Sequence, residues 1–349
     1  MALRPGKLPS PLLERLLRSV SCPDASVVLG PAVGEDAAVI DTGGPELLAV
    51  KTDPITFARE DAPHYLLAVN CNDLATVGAK PRWLLVTALL PEGVTESDVE
   101  ALFRRLRQAC ETFGVALIGG HTEVTVGLDR PILVGGLLGT VAREALLHTA
   151  AVRAGDAIVL AGAIAVEGTA LLAREHGHSL RAAGLKEEWI ERAARLLDAP
   201  GISVLPAAQA ARSAARIHAM HDPTEGGLAM ALHELADAAG VGLRVYRDAI
   251  PVLEECSRIC EALQLDPLGL LASGALLIAL HPADVASVLD RLREAGIRAA
   301  RIADAVEPVA GRILVTGDRE SALPRFDRDE LARFLERFPA ASRPSPPPL

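Results

Sequence analysis

The first half of the chain contains two stretches whose apolar residues have helical spacing. In the stretch from Asp61 to Val77, Asp61 can serve as the N-cap and Gly78 ends the element. The segment Thr95-Glu96-Ser97-Asp98 resembles a capping box and precedes apolar residues spaced three or four apart as far as Phe113. The pattern therefore predicts two helices here, the first of them apolar on most of its surface.

Short apolar runs around these helices predict strands, separated by turn residues such as Asp41-Thr42-Gly43-Gly44. The predicted strands of the first half are Ala37–Ile40, Leu47–Val50, Trp83–Leu90, Val115–Ile118 and Ile132–Val141. After a break near residues 143–156 the pattern restarts, with strands at 157–160, 243–246, 276–280 and 313–316 and helices from Thr169, near 186–198, at 226–239 and at 282–295. Alternating strands and helices in both halves predict a mixed fold, α/β or α+β, with domains at 1–150 and 151–325.

Composition narrows the class of protein. The 349 residues suffice for two domains, and half of them are hydrophobic. Lys and Arg number 35 against 45 Asp and Glu, and this net charge of −10 argues against general nucleic-acid binding. No apolar run is long enough for a membrane span, and five cysteines without a CxxC pair are typical of reduced thiols. We expect a cytoplasmic protein with a disordered proline-rich tail at 340–349.

Four acidic or amide clusters lie where predicted elements begin or end, or on a buried helix. They contain Asp36, Asp53, the set Asn70, Asn72 and Asp73, and Asp222. Three polar side chains on an apolar helix are costly unless they have partners. For Asp222 an ordinary alternative stays open, in which it caps a helix that has Pro223 and Glu225 in its first turn.

Paired glycines accompany two of the polar segments. Gly226-Gly227 would open the helix after Asp222, where glycine lowers helix stability, so we expect a close backbone approach there, with free N–H groups facing an anion. Gly119-Gly120-His121-Thr122-Glu123 follows a predicted strand and is a second candidate for such a backbone contact with an anion. Scattered carboxylates with glycine turns fit a magnesium–nucleotide site, and neither a GxxxxGK[ST] loop nor a kinase motif set is present.

Five segments, in order, resemble the superfamily of aminoimidazole ribonucleotide synthetase (PurM-like proteins), thiamine-monophosphate kinase, selenophosphate synthetase and the hydrogenase maturation factor HypE. They are GEDAAVI at 34–40, TDP at 52–54, NDLATVGAKPRWL at 72–84, GGHTE at 119–123 and HDPTEGGL at 221–228. The resemblance covers nearly the whole chain. It implies a homodimer in which the N-terminal sheet pairs with that of the partner to form a shared barrel, a C-terminal α/β sandwich domain, and ATP with Mg²⁺ in a cleft between the domains.

The resemblance also implies roles for individual residues. The implied metal ligands are Asp36, Asp53, Asp73 and Asp222. The implied nucleotide contacts are Asp36, Asp53, Asn72, Asp73, Gly119, Gly120, Thr122, Gly226 and Gly227, and the candidates for a catalytic group are Asp73, His121 and Asp222. The implied reaction transfers a phosphoryl group from ATP to an acceptor oxygen. His121 stands where thiamine-monophosphate kinase and the maturation factor carry Asp, and either a structural hydrogen bond or a phosphate or metal contact fits it.

The C-terminal half, at 233–280, resembles HypE most in order and turn residues. That family dehydrates a carbamoyl group on its own C-terminal cysteine, whereas the last cysteine here is Cys260, 349 − 260 = 89 residues from the end. We therefore expect a different acceptor, either a small molecule or a group carried by a partner protein, with maturation proteins as candidate partners. A thiamine-monophosphate kinase-like phosphotransferase and a non-catalytic nucleotide-binding homologue are the alternatives. Lys51 is predicted to be a solvated lysine at a strand end.

Overall fold

A computed structural model of the chain describes residues 8, 10–20, 24–32, 34–56 and 61–337. The predicted disordered tail at 340–349 lies outside the described residues. The described residues form two compact units, one consisting mainly of Asp36–Leu146 and the other mainly of residues 147–337. The first helix of the chain is α1 (Ser10–Val20).

The first unit is built on a six-stranded sheet. Its strands are β1 (Val27–Leu29), β2 (Ala38–Ile40), β3 (Glu46–Ile55), β4 (Lys80–Leu90), β5 (Ala116–Val124) and β6 (Ile132–Ala142). The order across the sheet is β1-β2-β3-β6-β4-β5, and only β4 and β5 run parallel among these pairs. Burial alternates along β6, so one face of this sheet carries the core.

Two helices complete the first unit. In α2 (Ala62–Thr76) almost every side chain is buried, in keeping with its apolar sequence. In α3 (Glu96–Phe113) the predicted capping box is confirmed: the Asp98 N–H donates to Thr95 Oγ1 at 3.2 Å and the Thr95 N–H donates to Asp98 Oδ2 at 3.0 Å. Asp61 is the N-cap residue of α2, as predicted, but its side chain makes no capping hydrogen bond.

The second unit is built on a seven-stranded sheet in the order β13-β12-β9-β11-β7-β10-β8. Its strands are β7 (Ala157–Ala161), β8 (Ile217–His221), β9 (Gly242–Tyr246), β10 (Leu276–Leu280), β11 (Ala299–Val306), β12 (Arg312–Thr316) and β13 (Arg319–Ala322). Strands β7 and β10 are buried along their whole length and lie inside the sheet, which places the core of this unit around them.

Helices cover this second sheet. They are α4 (Val166–Ala182), α5 (Glu187–Ala194), α6 (Leu205–Ala214), α7 (Gly227–Ala239), α8 (Glu254–Leu263), α9 (Val285–Glu294) and α10 (Glu330–Arg337). The mixed, two-part α/β architecture predicted from the sequence is confirmed, while the boundary between residues 150 and 151 stays a prediction. Within the part of the chain that the structure describes, no helix combines the length and apolarity needed to cross a membrane.

Candidate functional site in two carboxylate clusters

In the first unit, a lysine lies between two of the predicted carboxylates. The Lys51 Nζ is 3.1 Å from Asp73 Oδ2 on α2 and 3.5 Å from Asp53 Oδ2 on β3. Lys51 and Asp53 are two residues apart on one strand, so their side chains point to the same face of the sheet. The Lys51 side chain is only 23% exposed, and the prediction of a solvated lysine at a strand end is wrong, because β3 continues to Ile55.

The amide side chains near this cluster are buried on α2. Asn72 is fully buried and Asp73 is 4% exposed. Asn70 Nδ2 donates to the Leu66 carbonyl within the helix at 2.9 Å. A Cβ atom at Gly135 of β6 would lie 2.9 Å from that same nitrogen, so glycine at 135 lets the helix approach the sheet closely. The short distance between α2 and the sheet brings Asp73 into contact with Lys51 of β3.

Neighbouring carboxylates stabilise the charged form of Lys51. Burial acts to lower the pKa of the ammonium, but the carboxylates of Asp73, Asp53 and Asp36 outweigh it and raise the pKa above its usual range. Asp36 is therefore within electrostatic reach of the same point. Two carboxylates in contact with Lys51, with a third in electrostatic reach, supply the oxygen ligands that the hard Mg²⁺ ion prefers, so these residues fit the metal that the sequence predicts.

The predicted glycine turn at 119–123 is a strand in the structure. Gly119, Gly120, His121 and Thr122 all lie within β5, an exposed edge strand of the first sheet. A Cβ atom on Gly120 would lie 1.8 Å from the Val86 carbonyl oxygen of β4, so the neighbouring strand by itself requires glycine there. The nucleotide contacts implied for Gly119, Gly120 and Thr122 stay a prediction. His121 Nε2 lies 3.1 Å from Glu123 Oε2, which is a local hydrogen bond on an exposed strand.

In the second unit, Asp222 follows directly after β8 and is 3% exposed. The N-cap of α7 is Gly226, which has a left-handed backbone with φ 83°. The alternative in which Asp222, Pro223 and Glu225 form a capping box is therefore wrong, because the helix begins four to five residues beyond Asp222. The neighbouring His221 is also buried, with its Nε2 3.1 Å from Glu234 Oε2 of α7.

The paired glycines after Asp222 are explained by the backbone. Both have positive φ, and a Cβ atom on Gly227 would lie 2.4 Å from the Leu268 carbonyl oxygen. The Gly226 N–H donates to Asp329 Oδ2 at 2.8 Å and the Gly227 N–H donates to the Thr224 carbonyl at 3.1 Å. The predicted close backbone approach is confirmed, whereas the expectation of free N–H groups at this turn is wrong. A nucleotide contact by either glycine stays a prediction.

Two carboxyl groups near this turn, the buried Glu167 and the half-buried Asp329, are not predicted from the sequence. Burial raises the pKa of Glu167, at the start of α4, to about 7, with Glu225 and Asp329 adding to the rise and a hydrogen bond from Ser273 opposing it. Burial likewise raises the pKa of Asp329 to about 6, against backbone N–H bonds from Gly226, Leu331 and Leu271. Asp329 is distant in sequence from the turn that it caps, so no local pattern reveals the pair.

These carboxyl groups predict that the protein loses stability as pH rises. The pKa of Glu167 changes from its usual 4.5 to about 7 on folding, so between these values the native state holds a proton that the unfolded state has lost. The stabilisation is present below pH 4.5 and is lost through pH 7, a loss of up to about 3 kcal/mol. We expect Glu167→Gln to raise the thermal unfolding midpoint at pH 8 and to leave it nearly unchanged at pH 5.

The matched control is Glu191→Gln, which makes the same chemical change at an exposed position of α5. It should leave the pH dependence of unfolding as it is in the wild type. If Glu167→Gln destabilises the protein equally at pH 5 and pH 8, the buried carboxyl group is ionised and partnered throughout, and the account given for Glu167 is incorrect.

Both halves of the chain match a family of known proteins. Residues 34–141 match the family described as AIR synthase related protein, N-terminal domain, and residues 153–315 match the C-terminal domain of the same description. A hydrogenase expression/formation protein of Methanocaldococcus jannaschii is 29% identical over 294 residues, which is 83% of this chain and 84% of that protein. The carbamoyl dehydratase HypE of Rhodobacter capsulatus is 30% identical over 318 residues, or 88% of each chain.

A solved structure agrees with the sequence matches. The crystal structure of the hydrogenase maturation protein HypE in complex with ATP superposes with a TM-score of 0.65 at 26% identity, covering 87% of this chain and 92% of that one. The similarity therefore extends through both units and includes the segments that carry Asp53, Asp73 and Asp222.

Proposed function

Since this chain belongs to the AIR synthase-related family, we propose that it is an ATP- and Mg²⁺-dependent enzyme that phosphorylates the oxygen of a carbamoyl group. The observation that carries the proposal is the buried Asp73 beside Asp53 and Lys51, within the domain that matches this family. The relatives named as carbamoyl dehydratases, and the related protein solved with ATP, support the choice of reaction and nucleotide.

The proposed chemistry has two steps. The carbamoyl oxygen attacks the γ-phosphorus of ATP, the bond from that phosphorus to the β,γ-bridging oxygen breaks, and ADP leaves. The acceptor nitrogen then gives up its two protons while the carbon–oxygen bond breaks, so that inorganic phosphate leaves and a nitrile remains. The sum is ATP plus carbamoyl group to ADP, phosphate and nitrile, which removes one water from the acceptor.

The carboxylates of the first unit are proposed to bind the metal ion. Asp36, Asp53 and Asp73 would hold Mg²⁺, and the bound ion would neutralise charge on the phosphate oxygens. Asn72, next to Asp73 on α2, is proposed as a polar contact that fixes the position of this carboxylate.

Asp222, in the second unit, is proposed as a further metal ligand. Asp222→Asn should lower ATP turnover by about a hundredfold, measured as ADP release. Unchanged turnover would remove Asp222 from the site.

The acceptor is proposed to come from another molecule. Each described cysteine, namely Cys71, Cys110, Cys256 and Cys260, is buried. A buried thiol cannot carry a carbamoyl group to a nucleotide without unfolding its surroundings. An S-carbamoyl group on a partner protein, such as another maturation protein, or on a small molecule therefore fits better than any of these four side chains.

A homodimer is proposed from the edge of the first sheet. All nine residues of β5 are exposed, among them Leu117, Ile118 and Val124. An exposed apolar edge strand is a template for pairing with another chain and is usually protected in a monomer. Pairing of this edge with the same region of a second copy would bury these side chains and extend the sheet into a shared barrel.

The function is tested by supplying ATP, Mg²⁺ and an S-carbamoyl thiol, and measuring ADP, AMP and nitrile together. The proposal expects ADP and nitrile in equal amounts. Thiamine monophosphate belongs in the same panel, because phosphorylation of that acceptor would favour the kinase alternative. ATP binding with no turnover on any acceptor would contradict catalysis and favour a non-catalytic nucleotide-binding protein.

A further inference from the structure

The ammonium group of Lys51 lies where carboxylates converge in the first unit. Its Nζ contacts Asp73 Oδ2 at 3.1 Å and Asp53 Oδ2 at 3.5 Å, and Asp36 adds to the negative field around it. A lysine ammonium is a compact point charge with three donors, so it can bridge two carboxylates. Asp73 is almost completely buried, and the cation beside it is supplied by the chain itself.

We propose that Lys51 is a built-in cation of this site, which neutralises the carboxylates of Asp53 and Asp73 that would otherwise hold a divalent ion. The nucleotide-free protein then binds Mg²⁺ weakly, and the metal enters with the phosphates of the nucleotide. The inference rests on the proposed function, because it assigns a further residue to the same site. Lys51 acts here as a positioning residue that sets the metal requirement.

Distances support this assignment. Mg²⁺ binds carboxylate oxygens at about 2.0–2.1 Å. An ion bound between Asp53 and Asp73 would therefore lie within a few Å of the ammonium, where two positive charges repel strongly. The nucleotide changes this balance, because phosphate oxygens add negative charge that both cations can share. A purely structural ion pair would instead leave metal binding indifferent to the charge of residue 51.

The test measures Mn²⁺ binding to the full chain without nucleotide, by electron paramagnetic resonance and calorimetry. We expect Lys51→Met to bind Mn²⁺ about tenfold or more tightly than the wild type, because the carboxylates lose their resident cation. Lys51→Arg keeps the charge and should bind as weakly as the wild type. Lys80→Met is the matched control, since it removes an exposed lysine of the same unit and changes the net charge equally.

Equal Mn²⁺ affinity in Lys51→Met, Lys80→Met and the wild type would overturn the proposal, and so would weaker binding in Lys51→Met. A second measurement uses the wild-type protein and so does not depend on whether Lys51→Met folds. In wild-type protein with nitrogen-15-labelled lysine, the Lys51 ammonium signal, assigned by its loss in Lys51→Arg, should keep its chemical shift in millimolar Mg²⁺ and move when ATP is added. Movement with Mg²⁺ alone would contradict the built-in cation.

The outcomes separate this inference from the proposed function. Tighter Mn²⁺ binding in Lys51→Met with no turnover of any acceptor by the wild type would support the cation and reject the reaction. Carbamoyl dehydration by the wild type with unchanged Mn²⁺ binding in Lys51→Met would support the reaction and reject the cation.

Discussion

Asp73→Asn is expected to lower ATP-dependent phosphoryl transfer by about a thousandfold, the largest loss predicted for any single carboxylate. The substitution keeps the size of the side chain but removes a charge that is buried to 4% exposure and lies 3.1 Å from Lys51 Nζ. The remaining carboxylates then face an ammonium that they neutralise less completely, and the site loses a proposed metal ligand. ADP release with saturating ATP and acceptor measures the effect.

The control for this variant is Asp129→Asn, which makes the same change at an exposed position of the same unit. Its turnover should match that of the wild type. Thermal unfolding of both variants shows whether the first unit remains folded. If folded Asp73→Asn turns over ATP at the wild-type rate, Asp73 has no part in the reaction and the proposed site is in the wrong place.

Ile118→Glu is expected to convert a dimer into a monomer, with the dissociation constant raised by at least about a hundredfold. Ile118 lies within the exposed edge strand β5 and is 55% exposed in the single chain. A carboxylate at this position in each of two paired copies would have to be buried or brought close to its counterpart, and both are unfavourable. Sedimentation velocity over a range of concentrations measures the change.

Val126→Glu serves as the control for the edge strand. Val126 is 77% exposed but lies beyond the end of β5, so the same change there should leave the dimer intact. A wild-type protein that sediments as a monomer at every concentration would contradict the homodimer, and so would an Ile118→Glu variant that remains as dimeric as the wild type.

Local sequence signals predicted much of this fold correctly. The capping box before α3 is formed by residues three apart, and its interactions close within one turn of helix. The strands β6 and β10 are mostly apolar runs, so their existence follows from composition and spacing. The strand β11 was missed, because its sequence of alanines interrupted by arginine and aspartate has little hydrophobic contrast and is held in place by its neighbours β7 and β9.

The candidate site was predicted less completely, because its important contacts join distant parts of the chain. Asp53 and Asp73 were identified from motifs, but the closeness of α2 to β3, which places Lys51 between them, depends on packing against Gly135. The alternative in which Asp222 caps α7 is wrong, because the N-cap is Gly226, whose N–H donates to Asp329 more than a hundred residues later. Glu167 acquires its shifted pKa only through burial in the folded unit.

An oxygen label shows whether the carbamoyl oxygen is the atom that is phosphorylated. An S-carbamoyl thiol labelled with oxygen-18 in its carbonyl group is incubated with the protein, ATP and Mg²⁺, and the released phosphate is examined by mass spectrometry. If the carbamoyl oxygen is phosphorylated and then leaves, each phosphate carries one labelled oxygen and nitrile forms in equal amount. Unlabelled phosphate, with the carbamoyl group intact, would show that water is the acceptor and would contradict the proposed reaction.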